Sequence, residues 1–385
     1  MEFQLTSEQR LIQESAKRMV DRDLRPVLNA HPKDKPLPKE KMRAILQILA
    51  RQGLTSARIP EAGGGSGMSA MTMGLMIEQI PPVIGLALLA QEGTAARIYL
   101  ESSPEQRERV LPDLIAVRKI TCTGTTEPDG GSDSRIIRTR AKEDGDDLII
   151  NGRKMWITNA AICELVNVTA SIGTNEQGLS RIVRVLVDRE QSEFEGREIP
   201  VLGLQQGHLG EINFDNCRVP KANLVGTEGD APRVLTLTWL TNRPIFGLFA
   251  VHMAQIALDA ALKYASERSQ FGRTIGKFQL VQELLADIAT AVTTSRLLCY
   301  YALSCIDNGE RANHVSAMAK RYAIASCQRA ISQAMEVHGA IGISRELGLE
   351  QLYRDIRMLP IPDATNQILT LIEGRELTGA AAFRN

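Results

Sequence analysis

The sequence predicts a mainly helical α+β chain: an N-terminal helical domain over residues 1–118, a middle β-barrel or sandwich domain over 119–230, and a C-terminal four-helix bundle over 231–385. Three observations carry this. Apolar residues recur at helical spacing towards both ends of the chain. From 119 the spacing shortens towards two, as in RIVRVLVD (181–188) and EINFDNCRVP (211–220). The 385 residues are enough for two or three domains around buried cores.

Taken in order, Thr6 or Ser7 caps a first helix that runs through Met19, and a second runs from Pro38 to Gln52 and stops at Gly53. The tract EAGGGSG (61–67) is a loop and lacks the G-K-[ST] of a phosphate loop. In LIINGRKMWI, Asn151-Gly152 lies between apolar-rich runs and reads as a two-residue hairpin turn. Helices resume after Pro232, with a long one over 247–267. Over 280–302, Val281, Leu284, Leu285, Ile288, Ala291, Val292, Ser295, Leu298, Cys299 and Ala302 trace one helical face. Ala312 to Met335 is rich in Ala and Ser, which lets helices approach closely. Then PIPDATNQI (360–368) interrupts. Its two prolines hold the backbone off a helical path and set Asp363 in front of one more helical stretch. Asp363 is either the cap of that helix or an acid held in a turn for chemistry, and the residues alone leave both open.

Composition narrows the function. Lys+Arg 45 against Asp+Glu 45 leaves no net charge to attract nucleic acid or an anionic membrane in bulk. Cys122, Cys163, Cys217, Cys299, Cys305 and Cys327 are scattered and form no C-x-x-C, which suits reduced thiols in the cytoplasm. The start MEFQLTSEQRL lacks a signal-peptide pattern. No apolar run approaches the roughly 20 residues of a membrane span, because IFGLFAVHMAQIALDAAL is broken by His252, Gln255 and Asp259. A soluble cytoplasmic protein is expected. His31, His208, His252, His314 and His338 show no metal-ligand spacing, and neither G-x-G-x-x-G nor G-x-S-x-G occurs.

Four stretches carry more: TTEPDGGSD (125–133), KMWITNA (154–160), ERSQFGRTIGKFQ (267–279), and EVHGAIG…YRDIRMLPIPDATNQI (336–368). In that order and at those spacings, over the whole chain, the sequence resembles the flavin-dependent acyl-CoA dehydrogenase family. The resemblance implies FAD as cofactor, an acyl-CoA substrate, an electron-transfer flavoprotein as acceptor, a place in fatty acid metabolism and a homotetramer. It sets Thr125, Thr126, Ser132, Trp156 and Thr158 around the flavin, with Ser132 also reaching the thioester side. It has Arg268, Phe271, Gln279, Glu336 and Gly339 contact the cofactor of a neighbouring subunit. Glu336 and Ala340 depart from the family's Gln and second Gly, which weakens that contact.

By the same resemblance Asp363-Ala364-Thr365 stands where the family has Glu-Gly-Thr. Thr365 and Gln367 then touch the cofactor, and Ala364 and Arg243 the substrate. Asp363 would take the α-proton while FAD takes the β-hydride. Asn242, at the family's other base position, cannot act as a base. Aspartate is one methylene short, about 1.5 Å, and some family members acting on cyclic acyl-CoA esters also carry Asp here, which points to a branched or cyclic substrate. Gln91 and Glu92 are candidates to line the acyl cavity. The alternatives are another flavin reaction on an acyl thioester, such as desulfination or enoyl-CoA reduction, or a non-catalytic flavin-binding subunit of a hetero-oligomer.

Overall fold

Thr6 opens the first helix: its side chain accepts the Gln9 amide while the Gln9 side chain reaches back, and α1 (Ser7–Met19) follows as expected. The computed structural model describes residues 4–133, 137–226 and 231–382, without the side chains of 231–233, so the expected boundary at 230 lies outside the described residues. A π-helical turn, Val20–Leu24, leads into α2 (Arg25–Asn29). Next come α3 (Lys39–Ala50), α4 (Ala70–Ile77), α5 (Pro82–Glu101) and α6 (Pro104–Ile115). Gly53, at φ 75, turns the chain after α3, and EAGGGSG forms a short 3-10 turn and loop.

The middle segment is one mixed sheet. Its strands are β1 (Thr121–Gly124), β2 (Arg140–Asp144), β3 (Asp147–Thr158), β4 (Leu165–Thr174), β5 (Ser180–Asp188), β6 (Glu195–Glu198), β7 (Leu209–Pro220) and β8 (Leu224–Val225). They run in the order β6-β7-β3-β2-β4-β5-β8, with β1 added parallel to β4. Val166, Val168, Val185, Val187, Ile212 and Phe214 point into its core, while Leu165 and Leu186 face α5 and α6 on the other side.

The hairpin is not at Asn151-Gly152. The turn is Gly145-Asp146, with Asp144 opposite Asp147, and β3 runs straight through Asn151-Gly152 with a bulge against β7. Gly152 is needed there for closeness: at φ 150 its absent Cβ would lie 2.5 Å from Thr139 Oγ1. Gly152→Ala is therefore expected to destabilise the protein by about 1–3 kcal/mol, read as a lower urea midpoint than wild type.

The C-terminal segment comprises α7 (Ala231–Glu267), a two-stranded turn of β9 (Ser269–Gln270) and β10 (Arg273–Thr274), α8 (Gln279–Asp307), α9 (Asn313–His338), α10 (Leu349–Ile356) and α11 (Asn366–Thr378). Helices α7, α8 and α9 pack on one another and α11 lies on α9. The face traced over 280–302 is the buried face of α8, centred on Ile288, Val292, Ser295 and Cys299. Contrary to the expectation from sequence, α7 contains a stretch long and apolar enough to cross a membrane by length and composition. In the fold that stretch is the centre of the bundle, with Ile245, Phe246, Leu248, Phe249 and Val251 buried. One apolar cluster joins Met42, Leu46 and Leu49 of α3 to Phe246 and Phe249 of α7 and Ile331 of α9. The two helical segments thus share a core, and α5 crosses α7 so closely that a Cβ on Gly85 would lie 2.3 Å from the Phe249 ring.

Candidate functional site

Asp363 does not cap a helix. The N-cap of α11 is Thr365, and it makes no side-chain capping bond. Asp363 and Ala364 both have positive φ, 50 and 87, a conformation that costs energy for any residue with a Cβ and persists only where surroundings impose it. Two contacts impose it. Asn242 Nδ2 of α7 donates to Asp363 Oδ2 at 2.8 Å. Lys320 Nζ of α9 donates to the carbonyl of Pro362 and, at 2.6 Å, to that of Ala364, gripping the loop on both sides of the acid. Asp363 Oδ1 and the backbone N–H groups of Asp363, Ala364 and Thr365 have no protein partner among the described residues.

Lys320 is fully buried, and burial pushes its ammonium down to about 7, with Asp363 pulling it up and Arg243 pushing it further down. Arg243, next to Asn242, is also buried; its Nη1 donates to Asn313 Oδ1 at 3.0 Å and its Nε has no partner among the described residues. Burial lowers the Arg243 guanidinium, while Asp363 opposes this.

A polar seam runs beneath this loop between α5, β1 and α7. Arg97 Nε donates to Thr238 Oγ1 at 3.0 Å and Nη1 to Thr123 Oγ1 at 3.1 Å, and Thr94 bonds Thr123 at 2.9 Å. Thr238 lies one helical turn before Asn242 on α7. Arg97 is 7% exposed, and burial brings its guanidinium down to about 10, with Arg184 lowering and Asp363 raising it. Gln91 and Glu92 are buried and bonded within the protein. Gln91 donates to the carbonyls of Leu114 and Lys119 and accepts the Thr121 amide, tying α5 to β1, and Glu92 pairs with Arg58.

The loop TTEPDGGSD and the strand segment KMWITNA meet: the Met155 amide donates to the Thr126 carbonyl at 2.9 Å. Trp156 is the extra residue of a β3 bulge, has φ 61 and is 52% exposed. The hydroxyls of Thr126 and Thr158 have no protein partner among the described residues, Thr125 bonds Thr169 at 3.2 Å, and Ser132 is exposed. Beneath, Lys154 Nζ reaches Glu127 Oε1 at 2.7 Å with both side chains buried, and Glu127 also accepts the amides of Arg138 and Thr139. Burial pushes Lys154 down to about 8 against the pull of Glu127.

The remaining sequence candidates stand elsewhere. Arg268, Phe271, Gln279, Glu336 and Gly339 are exposed, with Phe271 92% exposed at φ 50. The ends of α7 and α9 that carry Arg268 and Gly339 are joined by Tyr264 stacking on His338 at 4.5 Å. Among the described residues none of the five bonds to Thr126, Trp156 or Thr158 within one protomer. Gln367 lines a hollow of about 290 Å³ between α9 and α11, together with Arg321, Tyr322 and Asn366, whose Oδ1 is buried without a partner among the described residues. Arg97, Lys320 and the Glu127–Lys154 pair were not among the candidates. Lys320 had left a trace: with Ser316, Ala323, Ile324 and Cys327 it falls on the apolar face of α9.

Residues 6–118, 122–217 and 233–378 match family models described as the N-terminal, middle and C-terminal domains of acyl-CoA dehydrogenase. A probable acyl-CoA dehydrogenase of Bacillus subtilis, YngJ, is 31% identical over 98% of this chain and 100% of its own. A cyclohex-1-ene-1-carbonyl-CoA dehydrogenase of Geobacter metallireducens is 34% identical over 86% of this chain and 88% of its own. Among solved structures, butyryl-CoA dehydrogenase from Megasphaera elsdenii superposes with a TM-score of 0.90 at 26% identity, covering 98% of this chain and 100% of that one. PigA with FAD and proline superposes at 0.88 with 26% identity, over 98% and 99%.

Proposed function

Because this chain belongs to the acyl-CoA dehydrogenase family, we propose that it is an FAD enzyme that α,β-dehydrogenates an acyl-CoA thioester with Asp363 as the base. The carrying observation is that Asp363 caps nothing, yet is held in a strained loop by Asn242 and Lys320 with one carboxylate oxygen left open. The α-proton passes to Asp363 Oδ1. The free amides of Asp363 and Ala364 offer donors for the thioester oxygen, which would lower the acidity barrier at the α-carbon.

The residues present fit FAD. An exposed Trp156 face beside two unpaired hydroxyls, Thr126 and Thr158, suits a planar ring with polar edges, and the unpaired Asn366 Oδ1 beside Gln367 suits a polar ligand. When bound, FAD supplies a two-electron acceptor for the β-hydride. Thr126, Ser132, Trp156 and Thr158 of one subunit would hold it with Arg268 and Gln279 of another. That arrangement requires an oligomer, read as a homotetramer, and the exposure of Phe271, Leu280 and Ile343 is apolar surface for a second copy to cover.

The acyl group is read as branched or cyclic, because the acid in the base position is an aspartate, one methylene shorter than the family's glutamate. The similarity to a dehydrogenase named for a cyclic acyl-CoA supports this. A cytoplasmic location in fatty acid metabolism, with an electron-transfer flavoprotein as acceptor, completes the reading, and six buried free cysteines agree with a reducing compartment.

The test is anaerobic bleaching of the purified protein over straight, branched and cyclic acyl-CoA esters, with light scattering for the assembly. A yellow oligomer bleached by at least one ester is expected. A yellow protein bleached by none points to a different flavin reaction or a non-catalytic subunit, and a colourless monomer contradicts the reading outright.

A further inference from the structure

The charge around Asp363 does not balance. Arg58 is paired with Glu92 and Arg184 with Glu101, so those four cancel. Arg97, Arg243 and Lys320 have no carboxylate in contact among the described residues, and the one acid whose charge reaches all three is Asp363. Two buried guanidiniums, and a lysine that burial holds at about 7, therefore share one carboxylate. Buried charge without a counter-charge is costly, and it persists where a ligand supplies what is missing.

Arg97 is the cation best placed to receive that ligand. Its Nε and Nη1 are fixed by Thr238 and Thr123, and its Nη2 has no protein acceptor among the described residues although the side chain is 93% buried, the complement of 7% exposure. Thr123 comes two residues before Thr125, on the side read as the flavin wall. Thr238 lies a turn before Asn242, the partner of the base. The guanidinium thus stands between the two walls that an acyl group must enter, held rigid, with one edge open. A planar fork with a free N–H edge matches a carboxylate. We propose that Arg97 reads a second, ionised carboxyl group on the acyl part, so that the substrate is a dicarboxylic acyl-CoA thioester. This rests on the acyl-thioester reading above and narrows it. Arg243 adds a buried guanidinium to the field around Asp363, which favours an anion there.

The test is calorimetric binding to the FAD-loaded protein of chain-matched thioesters: butyryl- against succinyl-CoA, valeryl- against glutaryl-CoA, and hexanoyl- against adipoyl-CoA. At least one acidic ester is expected to bind about 10-fold or more tightly than its neutral partner. Arg97→Met should bring that ratio close to one. Arg97→Lys, which keeps the charge but loses the fork, should retain only part of it and serves if the Met variant does not fold. Ratios within about 2-fold for all three pairs in wild type overturn the proposal, as does a preference that survives Arg97→Met. Binding is read without turnover, so the two readings fail separately. Bleaching without acidic preference removes only this inference, and acidic preference without bleaching removes only the dehydrogenation.

Discussion

Asp363→Asn is expected to retain FAD and acyl-CoA binding and to reduce its flavin at least about 10²-fold more slowly than wild type. The amide has nearly the volume of the carboxylate, and asparagine is among the residues that best tolerate positive φ, so the loop at φ 50 should keep its shape. Capping does not confound the result, because α11 takes Thr365 as its N-cap. Lys320 grips the neighbouring carbonyls and not the carboxylate, so its hold on Pro362 and Ala364 survives the change. What is lost is the open oxygen that can take a proton. Single-turnover reduction by a substrate thioester measures it, and wild-type reduction in the variant would leave the proposed mechanism without a base.

Glu127→Gln is expected to destabilise the protein by about 3–5 kcal/mol at pH 6, chiefly through loss of charge, with the loss of one buried acceptor added to it. Lys154 is fully buried and Glu127 nearly so, at 2.7 Å. The Arg138 and Thr139 amides bond to separate oxygens of Glu127, so the glutamine keeps an acceptor for only one of them, and it leaves the ammonium without a counter-charge, with the Thr125 carbonyl as its remaining partner. Lys154 already sits near 8 with its partner present, because burial outweighs the pull of Glu127; without that pull it falls further. A lysine whose folded pKa is depressed binds fewer protons folded than unfolded, so stability rises as pH climbs from the folded pKa towards the ordinary value of 10.5. The gap between variant and wild type should therefore be wider at pH 6 than at pH 9, as compared by urea midpoints. Adding Lys154→Met to Glu127→Gln should recover much of the loss, since an apolar side chain carries no charge to bury. A gap that does not change with pH would show that shape, and not charge, decides.

Local rules made much of the fold legible. The Thr6–Gln9 capping box, Pro38 ahead of α3 and the apolar face of α8 are signals within a few residues, and they led to elements with matching ends. Asn151-Gly152 misled because one dipeptide serves two purposes. Gly152 allows close approach to Thr139, a partner in space that spacing cannot reveal, while the actual turn hides in an acidic run that reads as solvated. The site divided the same way. Its motifs were visible as strings, and PIPDATNQI was visible as a turn holding an acid. The choice between cap and base needed two dihedral angles and the Asn242 contact. Arg97, Arg243, Lys320 and Asp363 come from four distant parts of the chain, and only folding makes them neighbours.

The shared core of α3, α7 and α9 has a consequence for how the chain is made. Met42, Leu46 and Leu49 emerge from the ribosome early, but Phe246, Phe249 and Ile331, which belong to the same cluster, are synthesised about 200 to 290 residues later. At about 5–20 residues per second, that delay is roughly 10–60 s. For that interval the nascent N-terminal helices have sticky faces and no mate, so a waiting chain needs shelter from others on the same message. The price of one core spread over both ends is dependence on whatever guards a half-made protein.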